Sequence, residues 1–456
     1  MAVMTAIETG ARPRAASPRF ALAAAVLGFF VVTLDAVVVN VTLPTIRGGL
    51  GGGITGLQWV VDGYTLMFAA LLLSSGSLAD RIGAWRAFGL GVGLFVVASI
   101  ACGAAPTLGF LVAARFVQGA AAAVIMPASL SLISQAYPDQ VQRGRAVAIW
   151  ALGGSVASTS GPLLGGLLAL ADWRLIFLIN VPVGALALGL LRRTANSPRR
   201  SVPFDWTGQV TAVLAMAALT FGAVAAGSRG LFDPRVLVAF VVAVLGLAAF
   251  VRTQARGTHP MVPLELFRSR TFRIALATGA AFMAAYFGLP FVASLYLQGE
   301  RGLTSLGTGL VFLPMMLVGL VTTPFSARIV EQFGARRPIV LGLLAMTVGL
   351  GVFALLPATT PLLALSLVMV LVGLGGPLTM PPVTAVLLNH VPAETTCVAS
   401  GVFNTSRQLG GALSVAVFGA LLANSASFMD GLREGLLLAA ALLLITTLAS
   451  TRLPQH

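Results

Sequence analysis

An all-α polytopic membrane protein is predicted, with 14 transmembrane helices forming two six-helix pseudo-symmetric bundles and two extra linker helices. Three observations carry this. First, the 456 residues are 57% hydrophobic and only 9% charged, with a mean hydropathy of +0.96. So few polar residues cannot clothe several soluble domains, and the apolar surface must meet lipid. Second, apolar runs of about 18 to 28 residues, long enough to cross a bilayer, recur between polar gaps. Third, the net charge of +14 comes from Arg alone and sits in those gaps. Such placement suits orientation in the membrane and contact with anionic headgroups rather than nucleic-acid binding.

The runs lie at 20–43, 57–78, 86–105, 108–135, 145–170, 174–191, 206–227, 234–251, 272–297, 305–326, 338–357, 361–388, 397–423 and 434–451. An N-terminus inside the cell leaves about 20 Arg on the inner side and about 6 outside, which satisfies the positive-inside rule. The dense inner clusters are Arg192, Arg193, Arg199 and Arg200, then Arg252, Arg256, Arg268, Arg270 and Arg273.

The first run follows Arg12, Arg14 and Arg19 and imitates a signal peptide. It is too long for one and contains Asp35, so it reads as a retained helix. A carboxylate at mid-helix costs roughly 2.5 to 3.5 kcal/mol on insertion scales and normally faces a bundle interior or a wet cavity. Asp35 is therefore the first candidate for function. Asp35, Asp62 in the second run and Arg115 in the fourth lie at depths that agree within about one helical turn. All three could share one outward-leaning cavity. Two carboxylates and a guanidinium suit a proton site, because burial favours the neutral acid and a nearby cation the charged one. Asp62 also reads as a first-turn residue near the headgroups.

The fifth run contains Ala157-Ser158-Thr159-Ser160-Gly161-Pro162-Leu163-Leu164-Gly165-Gly166. Its small residues permit close helix approach and Pro162 frees a carbonyl, predicting a tightly packed, bending helix. The run 361–388, with Gly373, Gly375, Gly376, Pro377, Pro381 and Pro382, reads as interrupted. Tyr64, Phe68, Phe282, Met283, Tyr286, Phe287 and Tyr296 could line an aromatic, sulfur-containing pocket for planar or greasy ligands. Asn404, Thr405, Arg407 and Gln408 form a polar patch in the run 397–423, either a ligand contact or a helix-to-helix anchor. Asn40 and Gln118 join Tyr64, Phe68, Tyr286, Phe287, Asn404 and Arg407 as the candidate substrate cavity.

The two six-run halves flank the pair at 206–251 and have nearly equal lengths. The gap Asp80-Arg81-Ile82-Gly83-Ala84-Trp85-Arg86 is echoed weakly by Arg328 to Arg337 at the corresponding place. Repeats of this kind build transporters whose halves rock about a midplane site. The expected units are a cytoplasmic tail at 1–19, a bundle at 20–192, a linker with two helices at 193–270 and a bundle at 271–456. Cys102 and Cys397 are too far apart in sequence to indicate a disulfide framework. His259, His390 and His456 lie in gaps or at the terminus, so no metal site is expected.

These segments resemble the major facilitator superfamily, and within it the 14-helix drug:proton antiporters. Five stretches carry the likeness: Leu34 to Pro44 followed by Gln58-Trp59-Val60-Val61-Asp62-Gly63-Tyr64; Gly76-Ser77-Leu78-Ala79-Asp80-Arg81-Ile82-Gly83; Arg115-Phe116-Val117-Gln118-Gly119; Gly161-Pro162 with Gly165-Gly166; and Asp172 to Pro182. The resemblance implies Asp35 as proton carrier with Arg115 as its modulator. It implies Gly76, Asp80, Arg81, Gly83 and Arg86 as a conformational latch, and Gly161, Pro162, Gly165 and Gly166 as the motif that separates exporters from importers. Ala84 and Trp85 stand where the loop motif usually has basic residues, and Ala157 replaces the first Gly of the exporter motif. No well-embedded acid of the kind some relatives use for dicationic drugs occurs in the last six spans, leaving monocations, neutral amphiphiles or anions.

The function expected is proton-coupled export of amphipathic drugs, antibiotics or toxic metabolites across a bacterial inner membrane by alternating access, with both termini cytoplasmic. The expected partners are a small amphipathic substrate, protons and membrane lipids, with no nucleic acid, for a chain acting as a monomer. No cofactor is expected beyond the proton gradient. The alternatives are a proton-coupled importer of a small metabolite or siderophore, a membrane enzyme, and a sensor that binds without flux.

Overall fold

A computed structural model describes residues 18–197, 205–257, 260–391 and 395–454. Arg12, Arg14, Arg199, Arg200, His259 and His456 lie outside the described residues, as do the side chains of Asp80 and Cys397. The described chain is helix and connecting turn throughout. Its helices are α1 (Pro18–Leu50), α2 (Ile54–Ile82), α3 (Ala84–Gly103), α4 (Leu108–Ala136), α5 (Gln140–Ala171), α6 (Leu175–Leu178), α7 (Asn180–Leu191), α8 (Trp206–Arg229) and α9 (Pro234–Arg256). There follow α10 (Arg270–Leu295), α11 (Ser305–Thr322), α12 (Ser326–Phe333), α13 (Arg336–Leu355), α14 (Leu362–Asn389), α15 (Thr396–Asn424) and α16 (Phe428–Ser450).

Short polar residues start many of these helices by accepting an otherwise orphaned backbone N–H. Asp139 accepts from Gln142 N–H at 2.9 Å, Asp205 from Gly208 at 2.7 Å and Thr304 from Gly307 at 3.0 Å. Between α6 and α7 the helix breaks because Pro182 has no N–H to give the preceding turn. The expected interruption at 361–388 does not occur: α14 runs unbroken through Pro377, Pro381 and Pro382. Neighbouring helices satisfy the freed carbonyls, as Ser326 Oγ does by donating to Pro377 O at 2.8 Å.

Among the described residues, 12 helices are long and apolar enough to cross a membrane. This is fewer than the 14 spans expected. The two helical stretches outside that set are α2 and the short α6–α7 pair at Leu175–Leu191. Large apolar side chains such as Leu90, Val97, Val238, Val241, Val244 and Ile445 point outward on α3, α9 and α16. In lipid such a surface is the expected one.

Helices α1 to α7 pack on one another, α10 to α16 do likewise, and α8 lies in the seam against both α2 and α15 with α9 outside it. Thr278 near the start of α10 meets Ser450 at the end of α16, and Gln298 beyond the end of α10 meets Val41 late in α1. The chain therefore enters α1 and leaves α16 at one face, the terminal face.

Contacts between the two groups concentrate from mid-depth towards the opposite face. Gln298 Nε2 donates to Val41 O at 2.7 Å, the Thr45 and Ser305 hydroxyls pair at 2.9 Å, and Gln58 Nε2 reaches the carbonyls of Val415 and Ala416 at 3.2 and 2.8 Å. Among the described residues, the hydrogen bond between the groups nearest the terminal face is Thr405 Oγ1 to Ala69 O. Among the described residues, hydrogen bonds of this kind seal the opposite face, and none lies nearer the terminal face than that one.

Candidate functional site

Asp35 is fully buried in α1, where an unpaired carboxylate would be prohibitively costly. Three side-chain donors from two other helices surround it. Arg115 Nη1 forms a salt bridge with Oδ2. Gln118 Nε2 donates to Oδ1 at 2.8 Å and Asn180 Nδ2 to the same oxygen at 2.9 Å. Arg115 also donates through Nε to Val60 O at 2.9 Å and through Nη1 to Gln118 Oε1 at 2.8 Å. Ser99 Oγ in α3 accepts from Gln118 at 2.8 Å and from Asn180 at 3.3 Å, and Cys102 Sγ contacts Gln118 Oε1 at 3.5 Å. The cluster ties α1, α2, α3, α4 and α7 into one polar knot.

Its geometry depends on close packing. The Arg115 guanidinium carbon lies 4.3 Å from the Tyr64 ring centroid and 5.8 Å from that of Phe177, within cation–π range. Tyr64 is brought there because Gly119 has no side chain: a Cβ at that position would sit 2.9 Å from Tyr64 Cα. Tyr64 in turn donates its hydroxyl to Val32 O at 3.0 Å, fixing α2 against α1.

Three expectations change here. Asp62 does not join Asp35 and Arg115: it is fully buried in α2, yet neither carboxylate oxygen has a partner. It is one turn beyond Gln58, whose side chain crosses to α15, so it belongs to the α2 face turned towards the second group. Tyr64, Phe68 and Gln118 do not line an open cavity; all three are buried, the first and last within the Asp35 knot and Phe68 against Tyr64 at a centroid distance of 6.1 Å. Tyr296 is likewise apart from them, donating to Ala358 O at 2.9 Å. Asn40 is buried above Asp35, its Nδ2 donating to Ala36 O at 3.4 Å and its Oδ1 unpartnered.

The glycine-rich turn of α5 sits between α1 and α11. A Cβ at Gly161 would lie 2.8 Å from Val37 Cγ1 and one at Gly165 2.9 Å from Val38 O, while one at Gly166 would meet Leu306 Cα at 2.6 Å. Gly309 of α11 packs on the Pro162 carbonyl. The α5 motif is thus where α1, two residues from Asp35, is coupled mechanically to the second group.

At the turn from α2 to α3, Gly83 has φ +90°, a conformation that favours glycine. Gly334, between α12 and α13, has φ +72°, so the two groups share this device at corresponding places. Gly76 is free of close neighbours, and Arg81 and Arg86 are exposed and form no ion pair among the described residues. Trp85, the departure from the loop motif, donates its backbone N–H to Ser197 Oγ and its indole N–H to Leu191 O, both at 3.0 Å. It moors the segment leaving α7.

In the second group, Arg407 donates through Nη1 to Asn404 Oδ1 at 3.1 Å. Phe282 and Tyr286 stack with centroids 5.3 Å apart, Phe287 lies 6.4 Å from Tyr286, and Tyr286 donates to Met316 Sδ at 3.4 Å. Sequence reasoning quoted Asn180 only inside a motif and missed Ser99. The available signal was an Asn two residues before Pro182 in an otherwise apolar run.

Residues 25–415 match the sequence model of the Major Facilitator Superfamily. The chain is 38% identical over 403 residues to multidrug resistance protein Stp of Mycobacterium tuberculosis, covering 87% of this chain and 74% of that protein. It is 36% identical to the methylenomycin A resistance protein of Bacillus subtilis, covering 89% and 88%. It is 34% identical to the tetracenomycin C resistance and export protein of Streptomyces glaucescens, covering 88% and 76%. Among solved structures, a D-xylose–proton symporter superposes with a TM-score of 0.69 at 15% identity, covering 96% of this chain and 99% of that one. That likeness concerns the fold.

Proposed function

The chain belongs to the Major Facilitator Superfamily, and on that premise we propose that it is a proton-coupled antiporter exporting amphipathic drugs, antibiotics or toxic metabolites by alternating access. The observation that carries the coupling is the Asp35 knot. A carboxylate held by Arg115, Gln118 and Asn180 links helices from across the first group. Protonation would neutralise it, weaken all three bonds and free α1 from α4 and α7. Because α1 abuts the α5 motif at Val37 and Val38, that release would reach the α5–α11 contact that seals the opposite face. Coupling requires proton and substrate to differ in affinity between the two states.

The protein is proposed to sit in the bacterial inner membrane with the Arg-rich terminal face in the cytoplasm. The sealed opposite face then corresponds to a state open inward. In this reading α2 and the α6–α7 pair also cross, giving 14 passes. The bundles span 20–192 and 271–456 around a linker at 193–270. The chain acts as a monomer among membrane lipids, without a cofactor, and without nucleic acid as a partner. The gradient supplies about 2.3 kcal/mol per charge per 100 mV and about 1.4 kcal/mol per pH unit. The export names of the relatives support the outward direction.

The test uses proteoliposomes carrying a pH gradient and a fluorescent amphipathic dye. Asp35→Asn is expected to abolish gradient-driven efflux while counterflow exchange continues. Full gradient-driven efflux in that variant would refute proton coupling at Asp35, and uptake in the reverse direction by the native chain would refute export.

A further inference from the structure

Arg407 lies well inside α15, and every other charge among the described residues of α10 to α16 sits near a helix end. The Phe403 ring on its own helix lies 5.7 Å from its guanidinium carbon, but one hydrogen-bonding edge is left open. Nη1 is held by Asn404 on its own helix, Nη2 meets only Met283 Sδ at 3.8 Å, and Nε has no partner. No carboxylate pairs with it among the described residues, since the Asp35 charge is already taken by Arg115. A helix-to-helix anchor would put a carbonyl or carboxylate of α10 against the guanidinium; α10 instead offers a thioether. Gly279 opens room for the Arg407 stem, since a Cβ there would lie 3.0 Å from Arg407 Cγ.

The free donors share one edge of the planar fork, because Nε–H and Nη2 point to the same side. That edge is the one carboxylates engage with two parallel hydrogen bonds. Met283, which shields it, is a flexible side chain able to swing aside. One turn along α10 from Met283 stand Tyr286 and Phe287, Tyr286 being stacked on the buried Phe282. Residues 404 to 410 are all half-buried, placing Arg407 on a partly accessible stretch in the terminal-face half of α15. A cationic ligand would meet Arg407 as a like charge, and a neutral one would leave its buried donors unmet.

Resting on the exporter reading, we infer that Arg407, held by Asn404, binds the carboxylate of an aromatic amphiphile whose ring lies on the half-buried Tyr286 and Phe287. The substrate class is anionic and aromatic.

The test is binding of three probes of similar size to the full-length purified protein: naphthoate, its methyl ester, and naphthyltrimethylammonium. Naphthoate is expected to bind at least about tenfold more tightly than either of the others, in keeping with hydrogen bonds to a charged group. Arg407→Gln is expected to erase that preference. Arg407→Lys, which keeps the charge and the fold, should lose part of the naphthoate affinity because it lacks the two-donor edge. Equal binding of the three probes by the native chain overturns the inference, as does a naphthoate preference that survives Arg407→Gln or is undiminished in Arg407→Lys. Gradient-driven export of the ester without any naphthoate preference sinks this inference and leaves the exporter reading standing. Arg407-dependent naphthoate binding without flux supports this site and sinks the exporter reading.

Discussion

Asn180 Nδ2 donates to Asp35 Oδ1 at 2.9 Å, joining the first turn of α7 to the middle of α1 across 145 positions of sequence. The bond makes Asn180 part of the support of the carboxylate. Asn180→Leu removes a donor to a buried charge, which costs about 1.5–3 kcal/mol. Thermal unfolding of the purified protein should show a lower Tm, and an unchanged Tm would mean the bond contributes nothing.

Arg115 has several tasks: it pairs with Asp35, donates through Nε to Val60 O and covers the Tyr64 ring. Lysine keeps the charge but has no equivalent of the Nε bond. Gradient-driven efflux is therefore expected to fall in the order native, Arg115→Lys, Arg115→Ala. Removing one partner of a buried pair costs about 3–5 kcal/mol, so Arg115→Ala should also show the larger drop in Tm. Equal efflux in both variants would argue against an electrostatic role.

Asp62 is the converse case, a buried carboxylate with no partner on either oxygen. An amide of the same shape is easier to bury than an isolated charge. Asp62→Asn is expected to leave Tm unchanged or raise it, whereas Asp35→Asn lowers it by stranding Arg115. Matching losses in the two variants would place both acids in one network after all.

Gly166 meets the backbone of α11 directly: an added Cβ would lie 2.6 Å from Leu306 Cα and 2.7 Å from Ser305 O. Backbone cannot give way as a side chain can, so Gly166→Val should pry α5 from α11 and break the seal at the opposite face. A cysteine placed at Thr45, whose hydroxyl pairs with Ser305, should then react faster with a membrane-impermeant maleimide. An unaltered labelling rate would show that this glycine is not where the seal forms.

Much of this was legible because lipid imposes a simple rule. A run of about 20 apolar residues must cross, and a charge inside it must be answered. That rule located Asp35 and Arg115 at matching depth, and their pairing follows. It misjudged Asp62, since depth along a helix says nothing about which neighbour the residue faces. It missed Ser99 and Asn180, because lone polar residues in apolar runs carry no periodic signal. It also took the prolines of α14 as an interruption, where close packing lets the helix continue.

What the sequence determined by itself is an all-helical membrane protein of this superfamily with a charged pair inside its first half, since composition, run length and charge placement are one-dimensional quantities. Only the tertiary structure decided which donors surround Asp35, that Gln118 serves the carboxylate rather than a cavity, and that Arg407 has an unanswered edge. The physical reason is that these depend on helix rotation and on the close approach that glycines such as Gly119 and Gly279 permit, which spacing along a chain does not encode.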